Sequence, residues 1–212
     1  MLELYAHPFS SYCRKVLIAL WEKGVAFEYH SLEQPENGPR LKELWPIGKF
    51  PLLVHDGRVI PETTVIIDYL DRIAPEPPLV SGDEIEARLM DRVFDNHVMN
   101  VMQIVVNEYI LRRDSLRTDD IAAAEARLDL VYAWLDGRLA GRTWAAGETF
   151  GLADCAGAPA LFYADWVRPI PERLTHLKSY RARVLARPTV ARAVEEARPF
   201  RSYFPLGAPD RD

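Results

Sequence analysis

The chain has 212 residues, 49% of them hydrophobic, so it can bury a full core as one large domain or two modest ones without disulfides or metal. A formal net charge of −5, with no block of Lys or Arg, argues against a nucleic-acid partner gripped through its phosphates. The only two cysteines, Cys13 and Cys155, each fall inside an apolar helical pattern, which suggests neither a disulfide framework nor a Cys-based zinc site.

The opening MLELYAHP lacks the basic start and apolar core of a signal peptide, and no apolar run approaches the roughly 18 residues of a membrane span. The expectation is a cytoplasmic chain with no membrane partner. From Leu2 to Ala6 the pattern alternates, with Leu2, Leu4 and Ala6 on one side and Glu3 and Tyr5 on the other, the period of a strand. A helix follows: Cys13, Val16, Leu17 and Leu20 fall at i, i+3, i+4 and i+7, and Gly24 stands where a left-handed cap would end it. Phe27 to Ser31 alternates again as a second strand. A polar stretch holding Pro35, Gly38 and Pro39 leads to KFPLLVHDGRVIPE, two short apolar runs joined by Asp56-Gly57, a type I′ hairpin signal. Thr63 or Thr64 then caps a helix with Val65, Ile66, Tyr69, Leu70 and Ile73 inward, stopped by Ala74-Pro75. The order is βαβ, then ββα.

APEPPLVSGDE reads as a linker, because its prolines cannot continue a helix and Ser-Gly-Asp suits the start of the next one. Beyond it the alternation disappears. Glu84 to Arg113 is one long helical pattern, Asp119 to Leu139 a second, and 173–187 and 189–198 are shorter ones. Between them LADCAGAPALFYADWV is apolar around its whole circumference, as a helix at the centre of a bundle would be, with Pro159 expected to kink it. Asp154 stands at the third position of that helix, where its carboxylate can reach free backbone N–H groups.

One stretch carries chemistry. In HPFSSYCRKVLIALWEKG a loop enters a helix, and Ser10 stands where a C-x-x-C redox turn would carry its first thiol, three residues before Cys13. Taken alone, Ser10 and Ser11 are explained as an N-cap pair, and Cys13 as a core residue sharing the stripe of Val16 and Leu17. Together with GKFP before the third strand, PETTVIIDYL after the hairpin and LADCAGAPAL in the second half, however, SSYCRKVLIAL resembles the glutathione transferase family over nearly the whole chain. It is most similar to the serine- and cysteine-type classes. The resemblance implies a thioredoxin-like βαβ–ββα domain over residues 1–76 and an all-helical domain over 84–212. It also implies a homodimer and no cofactor beyond glutathione as co-substrate.

In such a protein the residue aligning with Ser10 is the catalytic one. A thiol with a pKa near 8.5 is only a few per cent thiolate at neutral pH, so activation means stabilising the anion. A hydroxyl at a helix N-terminus can do that together with free N–H groups and the helix dipole. The resemblance further implies that Pro51 is cis and that Phe50 pairs its backbone with the cysteinyl unit. A trans proline opening a strand stays open on the residues alone. Thr63 with its helix N-terminus would take the γ-glutamyl carboxylate, Glu62 would face the ammonium, and Ser11 and Lys49 would complete the glutathione site. Tyr5 competes with Ser10, since other classes use a tyrosine near the first strand's end. Phe9, His97, Val101 and Tyr109 are expected, by periodicity, to wall the pocket for a small hydrophobic electrophile. The remaining histidines, His30, His55 and His176 among them, show no metal-ligand spacing, and no G-x-S-x-G, G-x-G-x-x-G or P-loop pattern occurs. Two other readings remain: a glutathione-dependent isomerase, dehalogenase or lyase using the same thiolate, and a non-catalytic binding protein of the same fold.

Overall fold

The computed structural model describes residues 1–212. Its first half is a four-stranded sheet in the order β2-β1-β3-β4, built from β1 (Leu2–Ala6), β2 (Glu28–Ser31), β3 (Leu52–His55) and β4 (Arg58–Ile60). Helix α1 (Ser11–Glu22) joins β1 to the parallel β2, while β3 runs antiparallel to β1 and turns into β4 at Asp56 and Gly57. Both turn residues take left-handed φ values, 49° and 81°, as a type I′ hairpin demands. The pleat sorts the side chains: Leu2, Leu4, Ala6 and Leu53 enter the main core, whereas Tyr5, Leu52 and Val54 face the other side. That second face is covered by α2 (Asn37–Leu44), through Leu41. Sequence periodicity did not announce α2, because only Asn37 and Leu41 in it are buried and so thin a stripe leaves no pattern.

Helix α3 (Thr63–Ile73) completes this half. The linker beyond it is held rather than loose. The Asp71 carboxylate accepts the N–H groups of Leu79 and Val80, and the buried Lys23 ammonium binds both Asp71 at 2.7 Å and the Pro77 carbonyl at 2.8 Å. The helical half then runs α4 (Glu84–Val93), a π-helical segment (Phe94–Met99), α5 (Asn100–Leu111), α6 (Thr118–Leu139), α7 (Leu152–Val167), α8 (Thr175–Leu185), α9 (Pro188–Ala197) and a closing 3₁₀ segment (Arg198–Tyr203). Asp83 caps α4 by accepting the Glu86 N–H at 3.0 Å. No helix is long and apolar enough to cross a membrane.

Every residue of α7 from Leu152 to Trp166 is buried, and the helix continues through Pro159. It packs against α1, α4 and the π segment, so a single core extends from Leu2 to Phe204 through both halves. Gly157 lets the π segment and α8 approach α7 closely: a Cβ there would meet the Tyr180 hydroxyl at 2.7 Å and the Phe94 ring at 2.9 Å. The start of α7 is tied by Asp154. One carboxylate oxygen accepts the Ala145 N–H at 2.9 Å and the Tyr180 hydroxyl at 2.8 Å, and the other accepts the Gly151 N–H at 3.0 Å.

Burial pushes the Asp154 carboxyl up from 3.8 to about 6, with the Ala145, Tyr180 and Gly151 donors opposing. The folded state therefore binds this proton more tightly than the unfolded chain, and the associated stability, present below the ordinary value, is lost as pH rises through about 6. Asp154→Asn should flatten the stability profile across that window. Asp154→Ala, which strands two buried donors and the partly buried Gly151 N–H, should cost about 3 kcal/mol and lower Tm by roughly 5–10 °C, read by thermal unfolding.

Candidate active site

A cleft of about 1000 Å³ opens between the sheet half and the helical half. Ser10, Ser11, Lys49, Phe50, Pro51, Glu62 and Thr63 line it from one side, and Phe9 lies at its head. Ser10 is the N-cap of α1, with extended backbone angles (φ −73°, ψ 126°) and an Oγ that accepts the Cys13 N–H at 3.4 Å. An oxygen that accepts one N–H keeps its own proton, so capping the helix and donating into the cleft are compatible. The loop ahead of Ser10 is fixed at three points. Ser10 N–H donates to the His7 carbonyl at 3.0 Å, Phe9 N–H to His7 Nδ1 at 3.1 Å, and the Phe9 carbonyl accepts the Tyr163 hydroxyl at 2.6 Å. Because His7 Nδ1 accepts, the ring proton sits on Nε2, which donates to Glu33 at 2.7 Å.

Cys13 is fully buried, and burial pushes its thiol up to about 12, so it does not supply a thiolate. Tyr5, on the far face of the sheet, stacks on His30 at 4.5 Å and does not line the cleft.

The start of α3 differs from the expected threonine cap. Glu62 holds the cap position in a left-handed conformation (φ 70°), and no side chain caps the helix. Such a backbone in a non-glycine residue costs about 1–3 kcal/mol. Its consequence is an open helix N-terminus facing the cleft beside Thr63. The Phe50-Pro51 peptide is cis, with Phe50 partly exposed at the rim.

Beneath this wall lies an ion network. The Lys15 ammonium, side chain 1% exposed, binds Asp91 at 2.5 Å and Asp95 at 2.7 Å, and Thr64 donates to Asp91 at 2.9 Å. Arg92 closes the network from the cleft side through Asp91, Asp95 and Thr64. Burial raises the Asp95 carboxyl above its ordinary value, with Lys15 opposing. No group of three or more His, Cys, Asp or Glu side chains converges on a metal position.

The opposite wall corrects the periodicity. His97, Val101 and Tyr109 do not line the cleft: His97 points to solvent, Val101 is in the core, and Tyr109 packs half-buried against that core. Asn96, Asn100, Gln103 and Asn107 take that wall instead, with Met102, Val106 and Ile110. His97 and Val101 each stand one residue, about 100°, past the face that carries Arg92, Asp95 and these carboxamides, so they turn away from the cleft. The carboxamides are linked: Asn100 Nδ2 donates to Asn96 at 3.4 Å and Gln103 Nε2 to Asn107 at 2.9 Å. Tyr12 donates its hydroxyl to Asn100 at 2.6 Å, and burial with nearby Asp95 pushes its phenol up, so it stays protonated. Tyr163, Tyr203 and Phe204 form the aromatic end. Sequence reading missed Tyr12, Arg92 and these carboxamides, although the spacing i, i+4, i+7, i+11 of the four amides marks one helix face.

Residues 4–78 match the family model for the glutathione S-transferase N-terminal domain, and residues 97–188 match that for its C-terminal domain. The chain belongs to the glutathione S-transferase family. Among its relatives is glutathione S-transferase U7 of Arabidopsis thaliana, 30% identical over 167 residues, which are 77% of this chain and 69% of the relative. FtsZ-localized protein A of Caulobacter vibrioides is 29% identical over 79% of each chain. A glutathione S-transferase structure from Rhodospirillum rubrum F11 superposes with a TM-score of 0.77 at 28% identity, covering 91% of each chain. The family match accounts for the cleft between a thioredoxin-like sheet and a helical half.

Lys15→Met would leave two buried carboxylates short of their cation. The variant should lose about 3 kcal/mol of stability in chemical denaturation, whereas Arg92→Met, at the exposed edge of the network, should lose less than half of that.

Proposed function

We propose that this glutathione S-transferase family member binds glutathione on residues 1–76 and presents its thiolate at Ser10 to a hydrophobic electrophile seated against residues 84–212. One observation carries the reading: two helix N-termini, those of α1 and α3, open into the same cleft, and neither has an acidic residue in its first turn. The α1 end and the Ser10 hydroxyl suit a thiolate. A shift of about two units in its pKa corresponds to about 2.7 kcal/mol, within reach of a charged hydrogen bond plus a helix dipole. The α3 end and Thr63 suit the γ-glutamyl carboxylate, with Glu62 facing the ammonium. Phe50 offers its backbone to the cysteinyl unit, and Ser11 and Lys49 stand nearest the rest of the tripeptide. No proton moves to Ser10, which only holds the anion.

The electrophile lies between Phe9 and Tyr163 on one side and the carboxamide row on the other, which favours an apolar body bearing a neutral hydrogen-bonding group. Removal of reactive electrophiles in the cytoplasm is the role this chemistry fits. Val65, Ile85 and Leu89, all exposed on the neighbouring helices α3 and α4, are the face of a proposed homodimer. Sedimentation should give about twice 24.2 kDa, and a monomer at micromolar concentration would refute the dimer.

A second reading, a fold retained for protein recognition, draws on the relative named for localisation with FtsZ and on Leu130 and Trp134, which α6 presents to solvent. Binding to immobilised glutathione, then turnover of a general aromatic electrophile, separates the two. Ser10→Ala should lower kcat roughly 10²–10³-fold with glutathione affinity kept within a few-fold. Glu62→Ala should instead raise KM for glutathione roughly 10–100-fold with little change in kcat. A fully active Ser10→Ala enzyme would refute the assignment of the thiolate site.

A further inference from the structure

Arg14 is 0% exposed, and none of its three guanidinium nitrogens has a hydrogen-bond partner. Burial of an ion without a counter-ion is strongly unfavourable. The buried lysines of this chain avoid it: Lys15 lies between Asp91 and Asp95, and Lys23 binds Asp71. The Arg14 guanidinium lies against aromatic side chains, with its carbon 4.3 Å from the Phe162 ring centroid and 5.2 Å from that of Tyr163, whose neutral phenol is its nearest polar neighbour. Other titratable groups around this pocket are Cys13 on α1, Tyr163 on α7, Tyr29 on β2 and Arg201 of the 3₁₀ segment. Burial raises both phenols and the thiol, so all three are neutral and none balances the cation. Glu196 on α9, the carboxylate whose charge reaches Tyr29, is exposed and bound to Arg192.

The place of this charge gives it a use. Arg14 lies one turn along α1 from Ser10, its N–H bonded to the Ser10 carbonyl at 2.9 Å, and helix side chains lean towards the N-terminus. Tyr163, whose ring it faces, lines the cleft and donates its hydroxyl to the Phe9 carbonyl, next to Ser10. One aromatic ring therefore separates the guanidinium from the cleft. The charged groups that line the cleft itself are Lys49, Glu62, Arg92 and Asp95. Lys49 and Glu62 are solvent-exposed, and Arg92 and Asp95 neutralise one another.

We propose that Arg14 is a supporting residue that lowers the thiol pKa of bound glutathione through its uncompensated charge, without touching the tripeptide. The inference rests on the reading of the cleft as a thiol-activating site. A counter-ion would cancel the field, as Asp91 and Asp95 cancel that of Lys15, so the absence of a partner is what lets the charge act at a distance through the apolar wall.

The test is a titration of thiolate absorbance against pH for the glutathione complexes of the wild type, Arg14→Met, Arg14→Gln and Arg14→Lys, with Tm measured on each. In the two neutral variants the bound thiol should titrate roughly one unit higher. Their kcat/KM should fall about tenfold at acidic pH and converge on the wild type at alkaline pH. Arg14→Lys should keep most of the depression. Tm of Arg14→Met should be unchanged or higher, because an uncompensated buried charge has gone. If the wild type forms thiolate and the neutral variants titrate where it does, the inference is overturned and the proposed function stands. A wild type that forms no thiolate overturns both.

Discussion

The ion pair of Lys15 with Asp91 and Asp95 is the contact on which the geometry of the cleft depends. Apolar packing holds α1 against α7 but is non-directional, and alone it would leave the sheet half free to settle at a range of small rotations. A buried ammonium between two carboxylates, with Thr64 beside it, is directional. It ties α1, α3, α4 and the π segment at one point, and the N-termini of α1 and α3 are thereby aimed into the same space. The rest of the interdomain seam supports this hinge point. Glu22 at the end of α1 binds Arg187 before α9 at 2.6 Å, and Asp71 holds the linker.

The network is also electrically balanced. Lys15 and Arg92 face Asp91 and Asp95, two cations against two carboxylates, so it orders the wall of the cleft while adding no net charge. The potential there is left to the helix N-termini and to Arg14, whose charge nothing offsets. Structural ions that cancel and a functional ion that does not lie one residue apart on the same helix, on faces about 100° apart. Adjacent residues can serve such different ends because the helix sends one towards the helical half's carboxylates and the other towards α7's aromatic rings.

Much of the fold was readable from the chain. Alternation placed β1 and β2, Asp56-Gly57 placed the hairpin, Gly24 ended α1, and the uniform apolarity of LADCAGAPALFYADWV marked the central helix, because each depends on residues close in sequence. Strand parity already separated Tyr5 from Leu4 and Ala6, and the sheet sends them to opposite faces. Helix α2 escaped notice because it buries too little to leave a stripe, and the cap position of Glu62 because a left-handed cap is a property of the backbone that a glutamate does not advertise.

The sequence by itself determined the strands, the hairpin, most of the helices, and the motifs that gather Ser10, Phe50-Pro51 and Glu62-Thr63 at loop ends. Tertiary structure alone decided what faces them. Packing of the π segment and α5 against α6 and α7 set the phase, so the carboxamides of Asn96, Asn100, Gln103 and Asn107 look into the cleft where His97, Val101 and Tyr109 were expected. Likewise, nothing near Arg14 or Lys15 in the chain says that one will find two carboxylates and the other none, because those partners come from 76 or more residues away and meet α1 only when the two halves share a core. Local periodicity sets the phase of an element along its own axis, whereas burial against another element sets which phase is used and what charge it meets.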